Sequence, residues 1–133
     1  DGVHHGQDDL DIKAAREYLG ADKIIGVSAH NVKEALEAEN GGADYLGSGA
    51  AFVTSTKTDA GAIDHKVLSD VAHSVKIPVV AIGGINKDNI SQLEGLGLDG
   101  VAVVSAIFAA DDISSAVIDL KAKAEKVAES SVK

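Results

Sequence analysis

Short apolar runs alternate with amphipathic stretches along the chain, and this alternation limits the folds open to it. The runs are GVHHG (2–6), KIIGVSA (23–29), ADYLGSGA (43–50), IPVVAIGGI (77–85) and GVAVVSAIF (100–108). The last two are almost continuous Val, Ile and Ala, which is typical of strands buried on both faces of a parallel sheet. The alternation therefore predicts an α/β protein with five βα units.

The stretches between the runs have the features of one-sided helices. Segments 67–75 and 113–127 repeat apolar residues every three or four positions, as amphipathic helices do. Side chains that favour helix starts occur at Asn31, Asp64, Asn86 and Asp112, and glycines that favour helix ends occur at Gly20, Gly42 and Gly97. Each predicted helix thus has a start signal, a stop signal or both.

The predicted units form a loose internal repeat, with GAD, GGAD and LGLDG preceding three of the strands. Their spacing of about 20 residues suits a βα unit, and one longer interval contains FVTSTKTDAG (52–61). Five such units have two common arrangements. One is part of an eight-stranded TIM barrel, and the other is an open flavodoxin-like sheet of five strands.

Charge and composition narrow the function. The formal charge of −9 disfavours nucleic acid and anionic membranes as partners. The absence of cysteine excludes disulfides, thiolate zinc sites and cysteine nucleophiles. Without a signal-peptide pattern or a run of membrane-spanning length, a cytoplasmic location is expected. The chain has no Met and opens on a predicted strand, so we expect an N-terminal part to be missing.

In both arrangements the chemistry belongs to the loops at the carboxyl ends of the strands. The loop at 52–61 contains Lys57, the only cation in these loops, together with the hydroxyls of Thr54, Ser55 and Thr56. Such a loop can hold phosphate oxygens by hydrogen bonds and one positive charge. A solvated loop without function is the alternative.

The remaining loops offer glycine, serine and carboxylate groups. Gly83 and Gly84 of AIGGIN and Ser105 of VVSAIF suit a phosphate site, or else a tight turn and a helix cap. The GQDD loop (6–9) suits Mg²⁺, or else helix capping. His30 also lies in such a loop and could contact a ligand, whereas neighbouring His4 and His5 should face opposite sides of a strand.

Taken together, DGVHHGQDDL, IIGVSAHN, GADYLGSGAAFVTSTKTDA, IPVVAIGGIN and DGVAVVSAIF closely resemble the C-terminal part of thiamine phosphate synthases. The T-x-T-K-x-D segment joined to AIGGI and VVSAI is specific to that family. The resemblance implies a TIM barrel, of which residues 1–133 form a single (βα)5 segment. It also implies an enzyme that joins hydroxymethylpyrimidine diphosphate to a thiazole phosphate and releases diphosphate.

The resemblance also assigns roles to residues of this chain. Asp9 resembles a Mg²⁺ ligand, and Ser28 and Lys57 resemble contacts to the pyrimidine diphosphate that take part in catalysis. The residues that correspond to the thiazole phosphate site are Thr54, Ser55, Thr56, Gly84, Val104 and Ser105. These substrates and Mg²⁺ are therefore the expected ligands.

The chain departs from the family at His5, where an aliphatic residue is usual, and at AAF (50–52), which lacks a frequent proline. The family's first three βα units, with a diphosphate-binding lysine and an Asn-Asp pair, are absent. We therefore expect little or no synthase activity from this segment alone, and self-association or pairing with the missing barrel portion. Two alternatives are a thiazole tautomerase-like relative, against which TSTK and GQDD argue, and a non-catalytic barrel fragment.

Overall fold

The computed structural model describes residues 1–53 and 62–130. Its elements in chain order are β1 (Gly2–His5), α1 (Ile12–Leu19), β2 (Ile24–Ala29), α2 (Val32–Gly41), β3 (Tyr45–Gly49), α3 (His65–Ser74), β4 (Val79–Ile82), a 3₁₀ helix (Ile90–Leu93), β5 (Gly100–Ala102), α4 (Ser105–Phe108) and α5 (Ile113–Glu129). The prediction of an α/β chain with five strands is confirmed. No helix in the described part of the chain is both long and apolar enough to cross a membrane.

The five strands form one parallel sheet in the order β1-β2-β3-β4-β5. A flavodoxin-like sheet has the order 2-1-3-4-5 instead, so that alternative is wrong for this chain. Sequential order is what βα units of the TIM-barrel type produce, because each right-handed crossover places the next strand on the same side of the last. The sheet is therefore an open segment with barrel-type topology.

The helices cover one face of this sheet and form the core there. Val27, Leu46 and Val79 lie side by side in the strand register, and Leu46 and Val79 are fully buried. Leu68 and Val71 of α3 are also fully buried in the same apolar cluster. Burial of one such side chain contributes about 1.5–3 kcal/mol, so this face supplies most of the hydrophobic stabilisation.

The opposite face of the sheet is open. Ile82 of β4 is 43% exposed and all of β5 is half-buried, so the expectation that both strands are buried on two faces is wrong. Helices that follow sequential crossovers all lie on one side, which leaves the other side uncovered. The fifth apolar run also ends early as a strand, because Ser105–Phe108 forms α4.

The aspartates of the internal repeat fix the register between strands. Asp44, at the end of GGAD, accepts a hydrogen bond from the Ile25 N–H (2.8 Å) and donates its own N–H to the Ile25 carbonyl (2.8 Å). Asp99 of LGLDG makes the same two bonds with Val79, at 2.9 and 2.8 Å. At these two positions the aspartate of the repeat ties the start of a strand to the start of the preceding strand, its neighbour in the sheet.

The predicted helix starts are mostly confirmed. Asn31, Asp64 and Asp112 each accept a hydrogen bond from a backbone N–H of the following turn. Asn86 differs, because its side chain caps a turn and only a 3₁₀ helix follows. In α5 the C-terminal half packs as predicted, whereas Ile113 (47%) and Val117 (40%) at its start remain exposed.

Candidate functional site

All five strands are parallel, so their carboxyl ends lie along one edge of the sheet. The register pairs His5 with Val27, Ala29 with Ser48, Gly49 with Ile82, and Ile82 with Ala102 near these ends. The loops that follow neighbouring strands are consequently neighbours as well. This edge is where ligands bind in barrels and open α/β sheets.

The loops after β3 and β4 are fastened to each other. Ala51 N–H donates to the Ile82 carbonyl (2.9 Å), and Phe52 N–H donates to the Gly83 carbonyl (3.0 Å). Gly84 has φ +65°, and a Cβ there would lie 2.8 Å from the Phe52 carbonyl oxygen. Glycine is therefore required at this position for both its backbone angle and the close approach of the other loop.

The segment that leads back from the β3 loop is anchored too. Ile63 N–H donates to the Ala50 carbonyl (2.9 Å), and His65 Nε2 donates to the Ala51 carbonyl (3.0 Å). The His65 and Phe52 rings meet edge to face with centroids 5.1 Å apart. Both flanks of the polar stretch are thus fixed at the carboxyl edge. The predicted contacts Thr54, Ser55, Thr56 and Lys57 lie outside the described residues.

Two asparagines hold the β4 loop in shape. Asn89 Nδ2 donates to the Gly84 carbonyl (2.8 Å), and Asn89 Oδ1 accepts from the Asn86 N–H (2.8 Å). Asn86 Oδ1 in turn accepts from the N–H groups of Asp88 (2.9 Å) and Asn89 (3.1 Å). Sequence reasoning missed Asn89, although its spacing of three from another asparagine is a signal for such a closed turn.

Val104 and Ser105 follow β5 beside this loop. Val104 is 69% exposed, and its carbonyl accepts from the N–H groups of Ile107 (3.1 Å) and Phe108 (2.9 Å). Ser105 begins α4 and borders a cleft of about 590 Å³ that it shares with Asn86 and four aspartates. Those carboxylates disfavour an anion inside the cleft, which Lys87 also lines.

The loop after β1 is a closed turn around Asp9. Gly6 N–H donates to Asp9 Oδ2 (2.7 Å), and Asp9 N–H donates to the Gly6 carbonyl (3.2 Å). Gln7 Nε2 donates to the Ser28 carbonyl (2.7 Å) and so links this loop to the end of β2. Among the described residues, no group of three or more His, Cys, Asp or Glu side chains could hold a metal ion. Asp9 as a magnesium ligand stays a prediction.

Ser28 belongs to a hydrogen-bonded cluster on the open face of the sheet. His4 Nε2 lies 3.0 Å from Ser28 Oγ, and His4 Nδ1 lies 2.9 Å from the Tyr45 hydroxyl. Burial, with a smaller contribution from the neighbouring His5, lowers the pKa of His4 below its usual value. This shift favours the neutral ring, in which one nitrogen is a donor and the other an acceptor.

The other histidines are outside this cluster. His5 faces the helices, as the alternation along β1 predicts, and is 8% exposed. Neither of its ring nitrogens has a hydrogen-bond partner in the described part of the chain. His30 donates its Nδ1–H (2.8 Å) and its N–H (2.9 Å) to Glu34. Burial opposes ionisation of Glu34, but these hydrogen bonds outweigh it and lower the pKa of that carboxyl. His30 therefore has a structural partner in α2.

Comparison with known proteins identifies the family to which the chain belongs. Residues 1–107 match the family model of thiamine monophosphate synthase. The thiamine-phosphate synthase of Clostridium acetobutylicum is 56% identical over 113 residues, which are 85% of this chain and 54% of that protein. The thiamine-phosphate synthase of Pyrococcus furiosus is 49% identical over 127 residues, 96% of this chain and 61% of that protein.

A solved structure described as the thiamine phosphate pyrophosphorylase from Pyrococcus furiosus superimposes with a TM-score of 0.85 at 47% identity, covering 96% of this chain and 60% of that one. A 3-hexulose-6-phosphate synthase shares only the fold, at 18% identity and a TM-score of 0.67. The chain spans a little over half the length of the curated relatives it matches. On sequence and structure alike, it belongs to the thiamine monophosphate synthase family.

Proposed function

We propose that this chain forms the thiazole phosphate site, and one side of the pyrimidine diphosphate site, of a thiamine-phosphate synthase. The reaction joins hydroxymethylpyrimidine diphosphate to a thiazole phosphate and releases diphosphate. The observation that supports it most is the fastening of the β3 loop to Gly83 and Gly84. In a member of this family, that contact brings the flank of a hydroxyl-rich stretch beside the loop that follows β4.

The thiazole phosphate would be held by hydrogen bonds from three loops. Ser105 contributes a hydroxyl, and the backbone around Gly84 can approach the ligand because glycine has no side chain. Thr54, Ser55 and Thr56 would add their hydroxyls, and Val104 its backbone. Hydrogen bonds to an anion contribute about 1.5–3 kcal/mol each, so several of them suffice for specific binding.

The pyrimidine diphosphate would lie over the ends of β1, β2 and β3. Lys57 supplies a positive charge to its phosphates, and the Ser28 hydroxyl supplies a hydrogen bond. Because the Ser28 carbonyl is tied to Gln7 and its hydroxyl to His4, this contact is held in one orientation. Orientation matters here, since misplacement of a reacting group by about 1 Å can cost about a hundredfold in rate.

Magnesium is part of this proposal, with Asp9 as one of its ligands. Mg²⁺ is often held by one or two carboxylates together with substrate phosphates, and a single Asp9 carboxylate near the sheet edge is consistent with that coordination. When bound, the ion would neutralise charge on the leaving diphosphate. Asp9 itself would be oriented by the Gly6 N–H, which occupies one side of its carboxylate.

The chemical step needs no protein nucleophile. The bond between the pyrimidine methylene carbon and the diphosphate oxygen breaks, and the electron pair leaves with the diphosphate. The thiazole nitrogen then forms a bond to the same carbon. Lys57 stabilises the charge that develops on the leaving group, and the remaining residues hold the two substrates in line.

We also propose that further βα units cover the open face and the two free edges of this sheet. Ile82, Ile113, Val117 and Phe108 expose apolar surface on the β4, β5 and α5 side, and Phe108 is 73% exposed. Uncovered strand edges and apolar patches favour association with another segment. The covering units belong either to the same polypeptide or to a second chain, and the proposed location of the assembled protein is the cytoplasm.

A chimeric enzyme tests this function. The matched segment of the Clostridium acetobutylicum synthase is replaced by this chain, and the chimera is expressed in bacteria that lack their own synthase. We expect growth without thiamine and formation of thiamine phosphate in the purified chimera. Lys57→Ala and Ser28→Ala should each lower kcat/KM by tenfold or more. This is the loss expected when one hydrogen bond or charge contact to an anion is removed.

The matched control is Lys66→Ala, which removes an exposed lysine of α3 outside the proposed site. Its side chain is 81% exposed and, within residues 1–53 and 62–130, pairs with Asp70 alone, so kcat/KM should not change. A folded but inactive chimera, alongside an active parent enzyme, would contradict the proposed function.

A further inference from the structure

In the cluster of His4, Ser28 and Tyr45 on the open face of the sheet, the two hydrogen bonds of His4 can run in either direction along the three side chains. Three strands contribute one side chain each, and the three polar groups form a chain from the Tyr45 hydroxyl through the imidazole to Ser28 Oγ. The His4 and Tyr45 rings are tilted by 37° with centroids 5.5 Å apart, so the hydrogen bonds come with ring contact. Both bonds together fix the His4 ring.

Two glycines make room for this arrangement. A Cβ on Gly26 would overlap the Tyr45 ring, and a Cβ on Gly47 would lie 3.2 Å from His4 Cε1. Both glycines are buried beneath the rings. Neither has a positive φ, so the lack of a side chain, and not the backbone angle, is what these positions require. The strand pattern reserves this surface for the two rings.

The chemistry of the hydroxyls selects one of the two neutral forms of His4. A phenol is a stronger acid than an aliphatic alcohol, so Tyr45 is the better donor and Ser28 the better acceptor. Tyr45 therefore donates to Nδ1, and the proton on Nε2 is donated to Ser28 Oγ. That leaves the hydroxyl hydrogen of Ser28 free to point away from the ring, toward a ligand with acceptor oxygens.

We propose that His4, held by Tyr45, is a positioning residue that fixes the Ser28 hydroxyl as a hydrogen-bond donor toward a bound diphosphate. The proposal rests on the proposed function for the identity of the ligand. With the opposite form of His4, Ser28 would donate to the ring and present only lone pairs, which repel phosphate oxygens. His4 and Tyr45 thus decide whether Ser28 attracts or repels the anion.

The location of the ring proton tests the direction itself. Nuclear magnetic resonance of the ¹⁵N-labelled 133-residue chain at slightly alkaline pH reports which ring nitrogen is protonated. The His4 signals are identified by their loss in His4→Phe. We expect the proton on Nε2, and a shift of the Nδ1 signal in Tyr45→Phe, which keeps the ring but removes the donor. A proton on Nδ1 would overturn the proposal.

Binding of inorganic diphosphate with Mg²⁺, measured by calorimetry on the same chain, tests the consequence. His4→Phe keeps the ring volume but removes both hydrogen bonds, and should weaken binding about tenfold. His4→Gln keeps an acceptor for Tyr45 and a donor for Ser28, and should restore most of the affinity. In a Ser28→Ala background, His4→Phe should have no further effect, because the group it positions is gone.

Equal weakening by His4→Phe and His4→Gln, or additive losses with Ser28→Ala, would overturn the positioning role and leave the proposed function intact. Failure of the wild-type chain to bind diphosphate would instead count against the diphosphate part of the proposed function. The ligand-directed role of His4 would then fail with it.

Discussion

Replacement of Gly84 by alanine tests how closely the β3 and β4 loops depend on each other. At φ +65° an L-residue costs about 1–2 kcal/mol relative to glycine. The new Cβ would also lie 2.8 Å from the Phe52 carbonyl oxygen and 3.1 Å from the Phe52 carbonyl carbon, which are backbone atoms that cannot rotate away. The loops must separate, which strains the 3.0 Å bond from Phe52 N–H to the Gly83 carbonyl.

Loss of that hydrogen bond adds about 1 kcal/mol, so Gly84→Ala should lower the free energy of unfolding by about 2–3 kcal/mol in total. Urea denaturation followed by circular dichroism measures this difference. Gly95→Ala is the matched control, because Gly95 has φ +80° and, apart from its chain neighbours, no described residue comes within 4 Å of an added Cβ. It should cost only the conformational part, about 1–2 kcal/mol. Equal losses in both variants would refute the close contact between the loops.

Three further outcomes are expected. Leu46→Ala should lower the free energy of unfolding by about 2–5 kcal/mol in urea denaturation, because Leu46 is fully buried between its neighbouring strands. The pKa of Asp44 is lowered by its hydrogen bonds from Arg16 and the Ile25 N–H, so its stabilising effect is present at neutral pH and lost as pH falls through the lowered pKa. Asp44→Asn should therefore destabilise at pH 7 and differ less from wild type below about pH 4, as acid unfolding curves would show. Asp70→Asn breaks an exposed pair with Lys66 and should change stability by less than about 1 kcal/mol at any pH. A change as large as that of Asp44→Asn would contradict the weight given to the hydrogen bonds of Asp44.

Strand positions and helix starts could be predicted from the sequence because they depend on local patterns. Alternation of apolar runs located all five strands, and the side chains of Asn31, Asp64 and Asp112 cap helices as their types predict. Sequential strand order could not be derived from these patterns, since a flavodoxin-like sheet has the same alternation. The resemblance to a family of barrels favoured the correct order.

Contacts between side chains that are distant in the sequence could not be predicted from local patterns. Arg16 donates to the Lys23 (2.6 Å) and Gly42 (2.6 Å) carbonyls and to Asp44 (2.7 Å), and nothing in its own helix signals this. The cluster of His4, Ser28 and Tyr45 likewise depends on the register of three strands. A shift of one residue in that register would turn each of these side chains to the other face.

The candidate site was predicted as a set of loops, and the fold brings those loops to one edge. Gly84 needed the structure, because only there does its role in the approach of Phe52 become visible. Ser28 was expected as a contact by resemblance, whereas the two groups that orient it were not expected. The pairwise links from Gln7 and His4 to Ser28 arise from strand pairing, which a single sequence does not reveal.

Calorimetric titration of the 133-residue chain with a thiazole phosphate tests the central claim, that the carboxyl edge of this sheet forms a phosphate site. We expect saturable binding that Ser105→Ala and Thr56→Ala each weaken about tenfold or more, and that Gly95→Ala leaves unchanged. Binding that is equal in all four proteins would place the ligand elsewhere. No binding even at high concentrations of the thiazole phosphate would contradict the account and favour a barrel segment without a ligand of its own.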